Sequence, residues 1–237
     1  MTLPTDMRID TLDADSLSRD LDDRGWTRVP DLLTAAECEE TAALYDQRAL
    51  FRSHVAMQLH GFGSGEYRYF AYPLPPRIAG LRSAWYRRLA PIANRWHARM
   101  GLSTRFPAEH AEFLARCHAG GQGRPTPLLL RYGQGDYNCL HQDLYGAHVF
   151  PLQMAVLLSR PGADFTGGEF VLTEQRPRMQ SRAEVVPLER GDAVIFAVGE
   201  RPQAGTRGDY RVKQRHGVST LRSGRRHALG IIFHDAP

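Results

Sequence analysis

The hydrophobic pattern changes period about half-way along the chain. From Ala14 to Arg24 apolar residues recur among charged ones at helical spacing, and Gly25 then precedes the extended run Trp26 to Leu33. Thr34 followed by Glu37 is a capping-box pattern, in which each side chain bonds the other residue's backbone N–H, and it predicts a helix reaching about Leu50. Leu81, Trp85, Leu89, Ile92 and Trp96 fall three or four apart, which predicts a long helix with Pro91 as a kink and both tryptophans as core anchors. A third helix is expected over Pro107 to His118, stopped by Ala119-Gly-Gly-Gln-Gly123.

After Pro127 the texture becomes short apolar runs broken by Gly and Pro. Strands are predicted at Leu128–Tyr132, Asn138–His141, Leu152–Ser159, Gly168–Thr173, Ala183–Pro187, Ala193–Ala197, His216–Thr220 and His227–His234. Helices followed by short strands imply an α+β chain, mainly β, with a double-stranded β-helix (jelly-roll) barrel. The expected division is a helical support region at residues 1–124, containing an aromatic loop at 51–76, and a barrel at 125–237, the two forming one compact unit. The loop holds His60-Gly-Phe-Gly-Ser-Gly65 and Glu66-Tyr-Arg-Tyr-Phe-Ala-Tyr72, a texture suited to a lid or to a loop packed on the barrel.

Composition narrows the class. With 237 residues, 42% of them hydrophobic and 24% charged, the chain has material for a sizeable core. It has no apolar stretch long enough to span a bilayer, and Met1 to Asp10 shows no export signal, so no membrane association and a cytoplasmic location are expected. Cys38, Cys117 and Cys139 are too few and too scattered for a disulfide framework or a paired zinc motif. The formal charge is +4, and Lys213 is the only lysine among the cationic residues. Such dependence on arginine, whose planar fork matches phosphate and carboxylate, suits an anionic partner, and codon bias of the source genome explains it too.

The chemistry concentrates in His141-Gln-Asp143. In an extended segment residues i and i+2 share a face, so an imidazole nitrogen and a carboxylate oxygen can address one ion. His216, far downstream, completes a two-histidine, one-carboxylate set of the kind that holds iron(II) with open positions for a chelating cosubstrate and dioxygen. Arg226, ten residues beyond His216, can anchor the cosubstrate's far carboxylate by a bidentate pair; Arg225 is the alternative if the turn at Gly224 is irregular. In the last strand, positions 226, 228, 230 and 232 share a face and His227 lies on the other; His227 and His234 are assigned structural or supporting roles rather than ligation. Asn138 and Gln153 are further inner-face candidates, and Cys139 is given no catalytic role.

On these residues the chain resembles the iron(II)/2-oxoglutarate-dependent dioxygenases. Leu130-Arg-Tyr132-Gly-Gln-Gly135 through Leu140-His141-Gln-Asp143 is similar to the first motif of AlkB-type alkylated-DNA repair dioxygenases, whereas Gly167-Gly-Glu-Phe170, Gly191-Asp192 and His216 to Arg226 look more like the prolyl-hydroxylase branch. From Pro125 to Asp235 the chain also resembles a bacterial family of oxygenases linked by name to oxidative demethylation of damaged DNA. The resemblance implies iron(II), 2-oxoglutarate and dioxygen as cofactors, His141, Asp143 and His216 as metal ligands, and Tyr132 with Arg226 as cosubstrate contacts.

It further implies hydroxylation of a substrate C–H bond with release of succinate and carbon dioxide, on alkylated DNA or RNA bases in the preferred reading. The alternatives are a protein-residue or small-molecule hydroxylase and a non-catalytic jelly-roll module that binds nucleic acid. For a nucleic-acid substrate the candidate contacts are His60, Tyr67, Arg68, Tyr69 and Tyr72, together with the basic run Arg201, Arg207, Arg211, Lys213 and Arg215.

Overall fold

A computed structural model describes residues 8–9, 11–206 and 208–237. Arg207 therefore lies outside the described residues. The chain begins with α1 (Ala14–Arg24), capped by Asp13 and ended by Gly25 at φ 75°, a left-handed turn that a side chain would strain. After β1 (Trp26–Val29) comes α2 (Ala35–Ala43), whose Thr34/Glu37 capping box forms as the sequence predicts. This helix stops at Ala43 rather than near Leu50, because the chain tightens into two short 3-10 turns, Leu44–Asp46 and Arg48–Leu50.

Half of the expected aromatic loop at 51–76 is strand: β2 (Phe51–Ala56), β3 (Gly63–Ser64) and β4 (Glu66–Phe70). The helix α3 (Pro76–Arg99) starts with proline in its first turn and continues through Pro91, so the proline does not end it. It buries Ile78, Leu81, Trp85, Leu89, Ile92 and Trp96. The remaining helix is α4 (His110–Ala119).

The strands that follow are β5 (Leu128–Tyr132), β6 (Tyr137–His141), β7 (Leu152–Leu157), β8 (Phe165–Gly167), β9 (Phe170–Gln175) and β10 (Arg182–Val186). Then come β11 (Ala193–Ala197), β12 (Glu200–Gly205), β13 (Gly208–Val218), β14 (Leu221–Gly224) and β15 (Arg226–Ile232). They build a seven-stranded sheet, β1-β11-β7-β15-β5-β4-β2, and a smaller sheet, β10-β9-β13-β6-β3, with β12 paired to β13. Every pair of neighbouring strands in both sheets runs antiparallel, giving the jelly-roll expected.

The two edges of the large sheet come from the chain before residue 124. Both outer strands of the large sheet, β1 and β2, come from the N-terminal half, so that half supplies sheet as well as helical support. Of the basic run, Arg201, Arg211, Lys213 and Arg215 lie on the paired strands β12 and β13.

The large sheet is buried on both faces, which explains the continuous apolar texture of its central strands. Leu152, Met154 and Val156 of β7, with Leu229 and Ile231 of β15, join Trp85, Trp96 and Phe113 in the main core beneath the helices. Their strand neighbours Gln153, Ala155, Arg226, Ala228 and Gly230 face the other way, into a cavity between the sheets. No described helix is long and apolar enough to cross a membrane.

Candidate metal centre and its cavity

The cavity has a volume of about 410 Å³. His141, Asp143 and His216 meet on its wall, each presenting a ligand atom within 4.8 Å of the others. Antiparallel register explains the convergence: His216 of β13 lies directly opposite His141 of β6, and their ring centroids are 4.2 Å apart. Asp143, two residues past His141, sits just beyond the end of β6. Its Oδ1 lies 3.6 Å from His141 Nε2 and its Oδ2 lies 3.4 Å from His216 Nε2.

Neighbouring groups fix these ligand atoms. His141 Nδ1–H donates to the Cys139 carbonyl at 2.8 Å, leaving Nε2 free to face the carboxylate. The His216 ring packs between Phe196, 4.6 Å away, and Phe170, 6.0 Å away. Burial lowers its pKa, as does the charge of His141, so at neutral pH it offers a lone pair. For Asp143 burial acts upward, but bonds and charges from His216 and His141 and the Tyr145 hydroxyl outweigh it and hold the carboxyl well below the usual range. The result is two imidazoles and one carboxylate facing a common point, a donor set suited to iron(II).

Arg226 enters the same cavity from β15, directly opposite Tyr132 of β5. It is 3% exposed, yet among the described residues its guanidinium makes no hydrogen bond or ion pair, and its Nε is a buried donor without a partner. It lies 5.5 Å from the Tyr132 ring centroid and 6.0 Å from that of Phe165. The Gly167–Gly168 turn, with both residues at positive φ, lets the chain pass over it. A Cβ on Gly168 would meet Leu221 Cδ1 at 2.5 Å and Arg226 Cδ at 3.2 Å. Arg225 is exposed and points away, so of the two arginines only Arg226 reaches the cavity.

Buried guanidinium groups are costly unless paired, so an orphaned one facing a cavity fits a carboxylate ligand. Gln153, also on the cavity wall, leaves its Oε1 buried and unpartnered. Asn138 places its Nδ2 3.5 Å from the Tyr132 hydroxyl.

The sequence-predicted substrate residues divide sharply. Tyr67 and Tyr69 line the cavity, their rings 5.3 Å apart and edge to face. Arg68, between them on β4, points to the opposite face, donates to the Tyr45 carbonyl and lies over the Tyr45 ring. His60 is exposed and stacks on Phe62, which lines the mouth, without entering the cavity itself. Tyr72 bonds Asp235 and Arg82 instead.

On β13, Arg211, Lys213 and Arg215 are exposed, while Val212, Gln214 and His216 turn inward. Arg211 pairs with Glu200 and the Met100 carbonyl. Arg201 is fully buried and pairs with Glu174. None of these four lines the cavity. His148 and His234 also lie off its wall, as does His227, which meets the Tyr45 ring edge-on.

Sequence reasoning missed Tyr145. Its hydroxyl donates to Asp143 Oδ1 at 2.7 Å and accepts from Tyr69 at 3.1 Å, forming a chain from the cavity wall to the candidate ligand. Its position two residues after Asp143 was the available signal. It also missed the rim, where Phe62 and Leu140 are 47% and 45% exposed.

Comparison with known proteins accounts for this arrangement. Residues 65–236 match the model of a family described as an oxygenase catalysing oxidative methylation of damaged DNA. The chain belongs to this oxygenase family. Uncharacterized proteins from two Mycobacterium tuberculosis strains are 50% identical over 167 residues, covering 70% of this chain and 72% of theirs.

Among solved structures, a 2OG-Fe(II) oxygenase-family oxidoreductase of Burkholderia pseudomallei superposes with a TM-score of 0.57 at 16% identity, over 95% of this chain and 93% of that one. A Pseudomonas putida prolyl-4-hydroxylase gives 0.55 at 15% identity, over 92% and 96%. These likenesses establish the fold as that of the iron(II)/2-oxoglutarate oxygenases. Family, fold and donor set together support iron(II), 2-oxoglutarate and dioxygen as the cofactors of this oxygenase.

Proposed function

We propose that this oxygenase removes alkyl groups from nucleic-acid bases. Iron(II) with 2-oxoglutarate and dioxygen supplies the oxidation, placing one oxygen atom in a substrate C–H bond while the keto acid leaves as succinate and carbon dioxide. His141, Asp143 and His216 would hold the ion, and Arg226 would take the distal carboxylate of the keto acid with Tyr132 packed beside it. The hydrogen bonds from His141 to Cys139 and from Tyr145 to Asp143 keep two ligand atoms aimed without reorganisation.

The shape and polarity of the cavity carry the choice of substrate. Its walls include Phe62, Tyr67, Tyr69, Leu140 and Phe170, and Arg226 is the only arginine or lysine among its lining residues. With that cation committed to the cosubstrate, the remaining space favours a flat group of little charge, which an extruded base satisfies through stacking. The family description, naming damaged DNA, agrees with this reading. Hydroxylation of an N-methyl carbon gives a hemiaminal that releases formaldehyde, so the net outcome is loss of the methyl group.

The test supplies iron(II), 2-oxoglutarate and either methylated single- and double-stranded oligonucleotides or a panel of peptides. Formaldehyde released from an oligonucleotide is the expected result. Hydroxylated peptide with no formaldehyde from any oligonucleotide would replace the reading with a residue hydroxylase. Absence of succinate with every substrate, alongside intact oligonucleotide binding, would leave a binding module.

A further inference from the structure

The outer edge of the large sheet carries a second pocket, of about 340 Å³, lined by Arg48, Phe51, Arg52, Ser53, His54 and Arg68. It contains three arginines and no carboxylate. Arg48, Arg52 and Arg68 form no ion pair among the described residues, unlike Arg131 nearby, which is paired with Glu66 and Asp46. Among the described residues the only carboxylate hydrogen-bonded to a lining residue is Glu66, bonded to His54 and already shared with Arg131.

Two donors in this pocket are buried without partners, Arg68 Nε and Ser53 Oγ. Ser53 adjoins the irregularity in the β2–β4 register between Phe51 and Ser53. Unsatisfied donors beside unneutralised guanidinium groups favour an anion that accepts several hydrogen bonds, as a phosphate does.

The pocket adjoins the wall of the catalytic cavity through Arg52. The Arg52 guanidinium lies 4.6 Å from the centroid of Tyr69, and Tyr69 lines the cavity wall. Exposed Arg124, also without an ion pair among the described residues, adds its positive field to Arg52. A cationic edge next to an aromatic wall is the arrangement by which proteins track a single strand, phosphates on arginine and bases on rings.

We infer that Arg48, Arg52, Ser53 and Arg68 form a phosphate-binding site that holds the backbone of a nucleic-acid strand beside the cavity entered by its base. This rests on the nucleic-acid reading of the cavity.

The test titrates a short fluorescein-labelled single-stranded oligonucleotide against the full chain over a series of salt concentrations. The double variant Arg48→Gln/Arg52→Gln should bind at least tenfold more weakly, and its log–log salt slope should be shallower by about 1.4, or about 0.7 for each phosphate no longer neutralised. Arg48→Gln alone alters an exposed side chain and should give about half that slope change, so the inference stays testable if the double variant folds poorly. The pair Arg211→Gln/Arg215→Gln should change neither quantity.

Unchanged binding in both Arg48 variants, an equal loss in the β13 pair, or displacement of the oligonucleotide by polyglutamate at matched charge would each overturn the site. Formaldehyde release with an unaltered KM in the double variant would overturn the site and leave the proposed function standing. Binding that depends on Arg48 and Arg52, with no formaldehyde from any methylated strand, would overturn the proposed reaction and leave the site standing.

Discussion

Arg82 and Arg226 are buried about equally deeply, and the protein surrounds them in opposite ways. Arg82, 1% exposed on α3, donates to the Ile232 carbonyl, the Tyr72 hydroxyl, Thr126 Oγ1 and Asp235 Oδ1 at 2.8–3.2 Å. Asp235 is satisfied in turn by Tyr72 and His118. Arg226, 3% exposed, makes no hydrogen bond or ion pair among the described residues and lies beside the Tyr132 and Phe165 rings. A completed network fastens the C-terminal segment to the long helix, whereas an incomplete one facing a cavity is available to a ligand. Burial alone does not distinguish a structural charge from a binding charge; the hydrogen-bond partners do.

Replacing the carboxylate of the candidate metal centre in the cavity that Arg226 enters should have the largest effect on activity. Asp143→Ala is expected to abolish succinate formation while leaving the far-ultraviolet circular dichroism unchanged. Full turnover in that variant would remove the triad from the chemistry.

The two arginines then separate stability from binding. Arg82→Met removes the guanidinium partner of the buried Asp235 and should cost about 3–5 kcal/mol in a denaturant titration. Arg226→Met breaks no protein hydrogen bond, so unfolding free energy should shift by less than about 1 kcal/mol. Its 2-oxoglutarate KM should rise at least tenfold, since a hydrogen bond to a charged group contributes about 1.5–3 kcal/mol. Equal destabilisation by both substitutions would erase the distinction.

The pH dependence of stability probes the buried histidines near the C-terminal fastening. Burial, followed by the charge of Arg82, lowers both His110 and His234 to about 4. They remain neutral in the folded protein while the unfolded chain takes up protons below about 6.5. Stability should therefore fall as pH drops from about 6.5 toward 4, by at most about 1.4 kcal/mol per pH unit for each group. His110→Gln should flatten the curve of melting temperature against pH over that interval.

Tyr145→Phe is the mildest change, removing one hydroxyl from Asp143. It should weaken iron(II) binding about tenfold, measured by metal titration, with little change in the 2-oxoglutarate KM.

Much of the cavity wall is legible in the sequence because its chemistry obeys local rules. His141 and Asp143 are two apart at the end of a strand, and alternation along β15 correctly puts positions 226, 228 and 230 on one face. Strand β11 is readable from Ala193–Ala197, where every residue is buried. The pairing of Trp26–Val29 with that strand is not, because it depends on segments about 170 residues apart.

The β12–β13 hairpin is hidden for a different reason. Its inward positions Arg201, Gln214 and His216 are polar, so the alternation that reports burial is absent, and Arg201 reads as a surface charge although it is buried. Tyr72 groups with Tyr67 and Tyr69 in the sequence because composition records aromatic residues without recording direction. The same limitation conceals Tyr145, whose role lies in one hydroxyl and the carboxylate it meets.

Placement of β1 and β2 at the two margins of the large sheet has a practical consequence. Excising the barrel half for fusion or crystallisation would expose raw backbone along both flanks and invite intermolecular strand exchange. The oxygenase is therefore best engineered as one indivisible piece, with any graft placed in an exposed connection rather than at the midpoint of the chain.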